Sequence, residues 1–380
     1  MKRGLAFLLT ALLLAGCASE TVAMEPPETT RPPETTQTET TAPTQPEDLL
    51  RVLLDGMTLE EKVGQMFLAR CRMETAVEDL QNYLLGGYVL FGRDFEGETR
   101  QSLTEKLTAY QAASAIPMLL AVDEEGGTVC RVSSYPAFRS QKFPSPRESF
   151  EAGGLELALS METEKAYLLS SLGLNVNLAP VCDISQDPAA FLYKRSLGAD
   201  PMTTAAFVTG TLERMADSGV GGVMKHFPGY GDNGDTHVGQ VVDNRTLEEL
   251  ESRDLVPFAA GIGQGLGAIL VSHNIVTALD DSMPASLSPK VMAYLRQTMG
   301  YAGVIVTDDL VMGALGAYTP EEAAVLAVQA GADLLCSTDF DTQLPAVLEA
   351  VRDGHISEQT IDSAVLRVLT WKQQLGLLEP

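Results

Sequence analysis

Short apolar runs rich in Val, Ile and Leu recur along residues 64–337, each of strand length, with longer stretches of helical spacing between them. The eight runs are GQMFLAR (64–70), GYVLF (87–91), PMLLAVD (117–123), LNVNLAP (174–180), VGGVMKHF (220–227), GAILVSH (267–273), GVIVTDD (303–309) and ADLLCS (332–337). Between them lie EDLQNYLL, TRQSLTEKLTAYQAASA, METEKAYLLSSLG, AAFVTGTLERMADSG, LEELESRDLVPFAAGIGQ, SPKVMAYLRQTMG and PEEAAVLAVQAG, all of helix length. Eight strands alternating with helices predict an α/β fold, a (β/α)8 TIM barrel in one domain. A doubly wound open sheet shares that alternation. The placement of polar residues favours the barrel, because Asp123, Asp183, His226, His273, Asp308 and Ser337 sit at or just past the carboxyl ends of six separate strands. That is the rim on which barrel enzymes assemble their sites.

The amino terminus breaks the pattern. MKRGLAFLLTALLLAGC is a basic tip, an apolar run and a cysteine, which reads as an export signal. The apolar run is shorter than the ~20 residues a spanning helix requires. Leu14-Ala15-Gly16-Cys17 resembles the lipobox of bacterial lipoproteins, which implies cleavage before Cys17, lipid on its thiol and an extracytoplasmic protein anchored to the cell membrane. An ordinary secretory signal with a chance cysteine is the alternative. The following Thr-, Pro- and Glu-rich run, containing ETTRPPETTQTETTAPTQP, has almost nothing to bury and predicts a disordered stalk. The expected organisation is a signal peptide at 1–16, lipidated Cys17 with a linker to 46, and a single domain over 47–380.

Charge and cysteines narrow the partners. With 51 acidic residues against 26 basic ones the formal charge is −25, which argues against a nucleic-acid partner. Beyond Cys17, the residues Cys71, Cys130, Cys182 and Cys336 have no CxxC spacing and read poorly as a zinc site. Export permits disulfides, so one or two bridges and four buried thiols both fit the sequence.

Four stretches carry candidate chemistry. VDEEGGTVCR (122–131) puts acids and a glycine pair at a strand end. DPAAFLYKRSLGADP (187–201) places Lys194-Arg195-Ser196 in a loop, where a guanidinium can fork onto a pair of ligand oxygens or onto a protein acid. KHFPGYGDNGDTH (225–237) has no hydrophobic period, and its Asp235 and His237 are spaced so that the carboxylate can hold one imidazole nitrogen and leave the other for a substrate. Metal ligation by His226, Asp232, Asp235 and His237 is the competing reading, weakened because the H-E-x-x-H helix is missing. VTDDLVMGA (306–314) sets two carboxylates side by side, one able to face the barrel mouth while the other braces the turn.

These motifs, with SHNIV and PASLSP between them, resemble glycoside hydrolase family 3 in the family's order: DEEGG with Arg131, RSLG, KHFPG, DTH, SHNIV and TDDL. The resemblance runs from about Leu53 to the end and points to the single-domain β-N-acetylglucosaminidase branch. It implies Asp308 as a nucleophile, His237 as acid and base polarised by Asp235, and Asp123, Arg131, Arg195, Lys225 and His226 as the grip on the sugar. No metal or organic cofactor is required by that mechanism. The implied substrate is a carbohydrate with terminal β-linked N-acetylglucosamine, from peptidoglycan or chitin-derived glycans. Two variants share the implied site: a glycan-binding lipoprotein that does not cut, and a phosphorylase. Tyr230 stands where the family commonly has a second histidine, in KHFPGHG, and Thr128 where arginine is frequent; both departures fall on the leaving-group side of the expectation.

Overall fold

The computed structural model describes residues 46–379. Cys17, the signal peptide and the linker expected before residue 46 lie outside them. All eight expected strands form: β1 (Phe67–Arg70), β2 (Gly87–Leu90), β3 (Leu119–Val122), β4 (Val176–Asn177), β5 (Gly221–Phe227), β6 (Ala268–Val271), β7 (Ile305–Thr307) and β8 (Leu335–Ser337). Each pairs in parallel with the next, from β1 to β7, and β8 returns to β1. A parallel bridge between Val306 and Leu334 joins β7 to β8, with the Thr307 N–H donating to the Leu334 carbonyl at 3.0 Å. The ring therefore closes. An open doubly wound sheet would leave two edges, and this one leaves none.

Alternation along the strands builds two cores. Leu68, Val89, Ala121, Val176, Val223, Leu270, Val306 and Cys336, one from each strand segment, fill the barrel interior. The intervening residues, such as Phe67, Tyr88, Leu120, Met224 and Ile269, face the surrounding helices. Period two along each strand separates the sets, as in a packed barrel that is not a pore.

Several helices start at a cap followed by proline: Ser145-Pro146, Asp200-Pro201, Ser288-Pro289 and Thr319-Pro320. In each, the side-chain oxygen of the first residue accepts from an orphan N–H one turn on, and the proline spends its missing N–H where no partner was available. The expected helix METEKAYLLSSLG proves to be the end of Pro146–Leu172, broken at Gly153-Gly154, where Gly154 has φ +66°. The segment from Leu247 to Gln264 contains a wider π turn at Leu250–Asp254.

Helices that the strand count did not anticipate flank the barrel: Pro46–Asp55 and Leu59–Gln65 before β1, and Phe340–Arg352 and Glu358–Gln374 after β8. The last of them seals the barrel floor. Trp371 packs with the interior core and reaches so near Gly221 that a Cβ there would meet its ring at 2.8 Å, so β5 needs glycine at that position. Cys71, Cys130, Cys182 and Cys336 are buried free thiols, which decides between the two states that the sequence allowed.

Candidate active site

A cavity of about 900 Å³ opens at the carboxyl end of the barrel, and Asp123, Arg131, Arg195, Lys225, His226, Asp235, His237 and Asp308 all line it. Every residue that the motifs singled out for the site is thus brought to one place.

Its floor is a charge quartet in which Lys225 and Glu125 are buried and Asp123 and Arg195 half-buried. Lys225, near the end of β5, sets its Nζ 2.6 Å from Asp123 Oδ1 and 2.7 Å from Glu125 Oε1. Arg195 forks onto Glu125, with Nε 2.8 Å from Oε2 and Nη2 2.7 Å from Oε1. Two cations against two carboxylates balance inside the barrel mouth, where an unpaired charge would be costly. Burial alone would raise the pKa of Glu125, but Arg195 and Lys225 outweigh it and hold that carboxyl far below its ordinary range. Burial likewise opposes the charge on Lys225, and Asp123 with Glu125 overcomes it, so the ammonium persists.

Glu125 was not singled out from the sequence. Its neighbours were legible as an acidic cluster, and the structure gives each acid of DEEGG its own task. Asp123 meets Lys225, Glu125 neutralises the cations, and Glu124 turns away to accept the backbone N–H groups of Arg131 and Val132 at 2.9 and 2.7 Å and the hydroxyl of Ser133. Gly126 and Gly127 follow with φ +100° and +63°, and a Cβ at Gly126 would lie 2.2 Å from the Pro144 carbonyl oxygen. Only glycine fits that turn. Arg131, at its end, approaches the Phe91 ring at 5.8 Å, and its buried Nε has no hydrogen-bond partner among the described residues.

His226 is oriented from behind. Its Nδ1 lies 2.7 Å from Asp183 Oδ2, and its Nε2 lies 3.2 Å from Arg195 Nη2. With the Nδ1 proton donated to the carboxylate, Nε2 accepts from the guanidinium, and the ring is held in one tautomer. Asp183 also accepts the backbone N–H groups of His226 and Tyr230 at 2.9 and 2.7 Å, so one buried acid fixes the start of the loop.

The two carboxylates after β7 separate as their alternation requires. Asp308 faces the cavity and accepts the N–H of Asp309 at 2.9 Å. Burial disfavours its ionisation, yet the polar surroundings, with the His273 and His226 rings nearby and the hydrogen bond from the Asp309 N–H, outweigh it and keep its pKa below the usual aspartate value. Asp309 braces the turn by accepting the Thr338 N–H at 3.1 Å and the Thr338 hydroxyl. Burial raises its pKa. His273 supports the pair from β6, with Nδ1 2.6 Å from Ser286 Oγ and Nε2 3.0 Å from the Asp309 carbonyl. Burial lowers its pKa, in keeping with a neutral ring that donates from Nε2 and accepts at Nδ1.

The loop 228–237 lines the same cavity through Asp235 and His237. Asp235 Oδ1 accepts from His237 at both the backbone N–H, 2.9 Å, and Nδ1, 2.7 Å. The imidazole is 58% exposed and lines the cavity, its Nε2 without a hydrogen-bond partner among the described residues. Asp232, the fourth member of the rival metal set, instead accepts the Ser185 hydroxyl and the N–H groups of Gln186 and Asp187 at 2.8, 2.9 and 3.2 Å. Thr128, one of the two departures from the family pattern, lines the cavity. Tyr230, the other, does not: it is 1% exposed and packs behind His226 and Phe191, because Asp183 draws its backbone inward.

Comparison with known proteins agrees with this assembly. The model of the glycosyl hydrolase family 3 N-terminal domain matches residues 58–371. Beta-hexosaminidase LpqI of Mycobacterium tuberculosis is 31% identical over 326 residues, 82% of each chain, and a beta-hexosaminidase of Stenotrophomonas maltophilia is 35% identical over 283 residues, 70% of this chain and 81% of that one. Among solved structures, a family 3 β-N-acetylglucosaminidase from Paenibacillus sp. superposes with a TM-score of 0.79 at 33% identity, over 84% of this chain and 63% of its own length. The structure of M. tuberculosis LpqI superposes at 0.77 with 30% identity, over 85% and 96%. A closed barrel with this charged mouth, matched along most of its length, belongs to glycoside hydrolase family 3, and the protein is a glycoside hydrolase.

Proposed function

We propose that the protein is an exo-acting, retaining β-N-acetylglucosaminidase that removes terminal β-linked N-acetylglucosamine from peptidoglycan or chitin-derived glycans. The observation that carries this reading is the convergence on one cavity of Asp308, half-buried and held ionised, and an imidazole whose Nδ1 is committed to Asp235. Asp308 attacks C1 of the sugar; the bond from C1 to the aglycone oxygen breaks, and that oxygen takes the Nε2 proton of the His237 imidazolium, which Asp235 stabilises. Water then attacks C1 with the same Nε2 accepting its proton, and the sugar leaves Asp308 with its β configuration restored. Lys225 and Arg195 present donors at the cavity floor that suit sugar hydroxyls, His226 lines the same floor, and Arg131 offers a guanidinium whose Nε has no hydrogen-bond partner among the described residues. The names of the relatives support the N-acetyl sugar as the glycone.

The test is release of nitrophenol from a nitrophenyl β-N-acetylglucosaminide by the purified protein and by Asp308→Asn. Release by the wild type, lost in the variant and indifferent to EDTA, is expected. A rate that requires phosphate, with a sugar phosphate as product, would make the protein a phosphorylase; binding without release in the wild type would make it a receptor. The proposal extends to location: cleavage before Cys17 and lipid on its thiol anchor the protein outside the cytoplasmic membrane. Cys17→Ser should move it from the membrane to the soluble fraction, and unchanged membrane partition would refute the anchor.

A further inference from the structure

His237 poses a problem of placement. A side chain 58% exposed gains little restraint from packing, yet proton transfer demands that Nε2 sit within hydrogen-bonding reach of the leaving oxygen. The restraint therefore has to come through the backbone next to it. Thr236 is fully buried, and its carbonyl accepts the N–H of Ala314, just past β7, at 2.9 Å. At the same junction a Cβ on Gly313 would lie 2.7 Å from the His237 carbonyl oxygen, so the loop rests directly on that backbone. The hydroxyl of Thr236 shares a short hydrogen bond with the phenol of Tyr230, six residues back and on the other limb of the loop.

Tyr230 is itself immobilised. Its N–H donates to Asp183 Oδ1, its ring stands edge-on to His226 at 5.3 Å between centroids, and it meets Phe191 at 5.9 Å. Phe191 in turn meets the His237 ring at 5.9 Å. Burial and the nearby Asp308 push the phenol's pKa up, so it stays protonated and keeps the shared bond. A chain of contacts thus runs from the sugar grip at His226, through Tyr230, to both sides of the proton donor.

We propose that Tyr230 is a positioning residue for proton transfer: its hydroxyl latches Thr236 across the loop and so holds the Asp235–His237 pair over the cavity. The inference rests on the reading of His237 as the proton donor, and it assigns a role to the position at which this chain departs from the family pattern. A latch of this kind predicts a loss that scales with how much the leaving group needs a proton. Tyr230→Phe keeps the ring and removes only the hydroxyl; Thr236→Val removes the other half of the bond at nearly constant volume.

The measurement is kcat/KM on two substrates, chitobiose, whose alkoxide leaving group needs the proton, and a dinitrophenyl glycoside, whose leaving group does not. Each single variant is expected to lose roughly 10-fold on chitobiose, the scale of one well-placed hydrogen bond, and less than about 2-fold on the dinitrophenyl glycoside. The double variant should lose no more than either single one, because both remove the same bond. Equal losses on the two substrates, no loss on chitobiose, or additive losses would overturn the latch. His237→Ala separates the two readings. It should lose chitobiose far more than the dinitrophenyl glycoside; if it does and the Tyr230 and Thr236 variants do not, the latch alone is wrong, whereas if it does not, the proton-donor assignment fails and the latch fails with it.

Discussion

Replacing Glu125 with glutamine removes one of the two negative charges that neutralise the barrel mouth, and its cost can be worked from the contacts. Glu125 is 1% exposed and takes two bonds from Arg195 and one from Lys225, all between 2.7 and 2.8 Å. Lys225 would keep Asp123, and Arg195 would lose both of its bonds to a carboxylate. Breaking a buried pair by removing one partner costs ~3–5 kcal/mol, and for a domain of this size that corresponds to a Tm lower by roughly 4–7 °C. The sign of the pH dependence follows from Arg195 and Lys225 holding the folded-state pKa of Glu125 far below its unfolded value of ~4.3. The stabilisation is fully present above that value and fades as pH falls through it toward the folded pKa. Urea unfolding of wild type and Glu125→Gln, followed by circular dichroism between pH 8 and pH 3, is the assay. A constant gap of several kcal/mol down to about pH 5 that narrows below about pH 4.3 is expected. A gap under ~1 kcal/mol at neutral pH would show that the quartet does not behave as a buried, paired network.

Other groups give independent checks. Lys372 is fully buried with its Nζ 2.7 Å from Gln65 Oε1, and burial lowers its pKa to about 7; between that value and the unfolded ~10.4 the unfolded chain binds the extra proton, so this residue makes stability rise with pH by up to ~1.4 kcal/mol per unit. Comparison with Lys372→Met by denaturant unfolding at pH 7 and 9.5 should show that this component disappears, and an unchanged pH slope would contradict the neutral lysine. Cys71, Cys130, Cys182 and Cys336 are buried, with the Cys71 thiol pushed up to about 12, so a chromogenic disulfide reagent should titrate them only after unfolding; rapid reaction of the native protein would refute their burial. Arg131→Ala should raise KM roughly 10- to 100-fold by deleting charge-assisted bonds to substrate, with kcat less affected and Tm nearly unchanged. A loss of Tm without a change in KM would make Arg131 a structural residue.

The strands were legible because apolar runs ended in polar residues, and in a parallel barrel those ends must share one rim. Asp123, His226 and Asp308 could therefore be placed on one rim from the sequence, while His237 and Lys225 came from the resemblance to the family. Closure was not legible, since it rests on β7 meeting β8 through Val306 and Leu334, a pairing with no local signature. Glu125 was missed for a related reason: its partners stand 70 and 100 positions away in the chain, and only the folded barrel brings Arg195 and Lys225 to it. Asp183 was read as one of six polar residues on the rim, while its work on the His226 ring depends on how the loop folds back. Tyr230 shows the limit of position-by-position comparison with a family. The substitution looked like a change to the leaving-group side, and the backbone bond to Asp183 turns the side chain inward instead.

The central claim, that Asp308 forms a bond to the sugar, is tested most directly by trapping it. The protein would be incubated with a fluorinated N-acetylglucosaminyl fluoride that forms a slow intermediate, then digested, and the peptide carrying VTDDLVMGA sequenced by mass spectrometry. The account predicts one added sugar, attached to Asp308. Turnover of the reagent with no labelled peptide, or a label on any other residue, would contradict it.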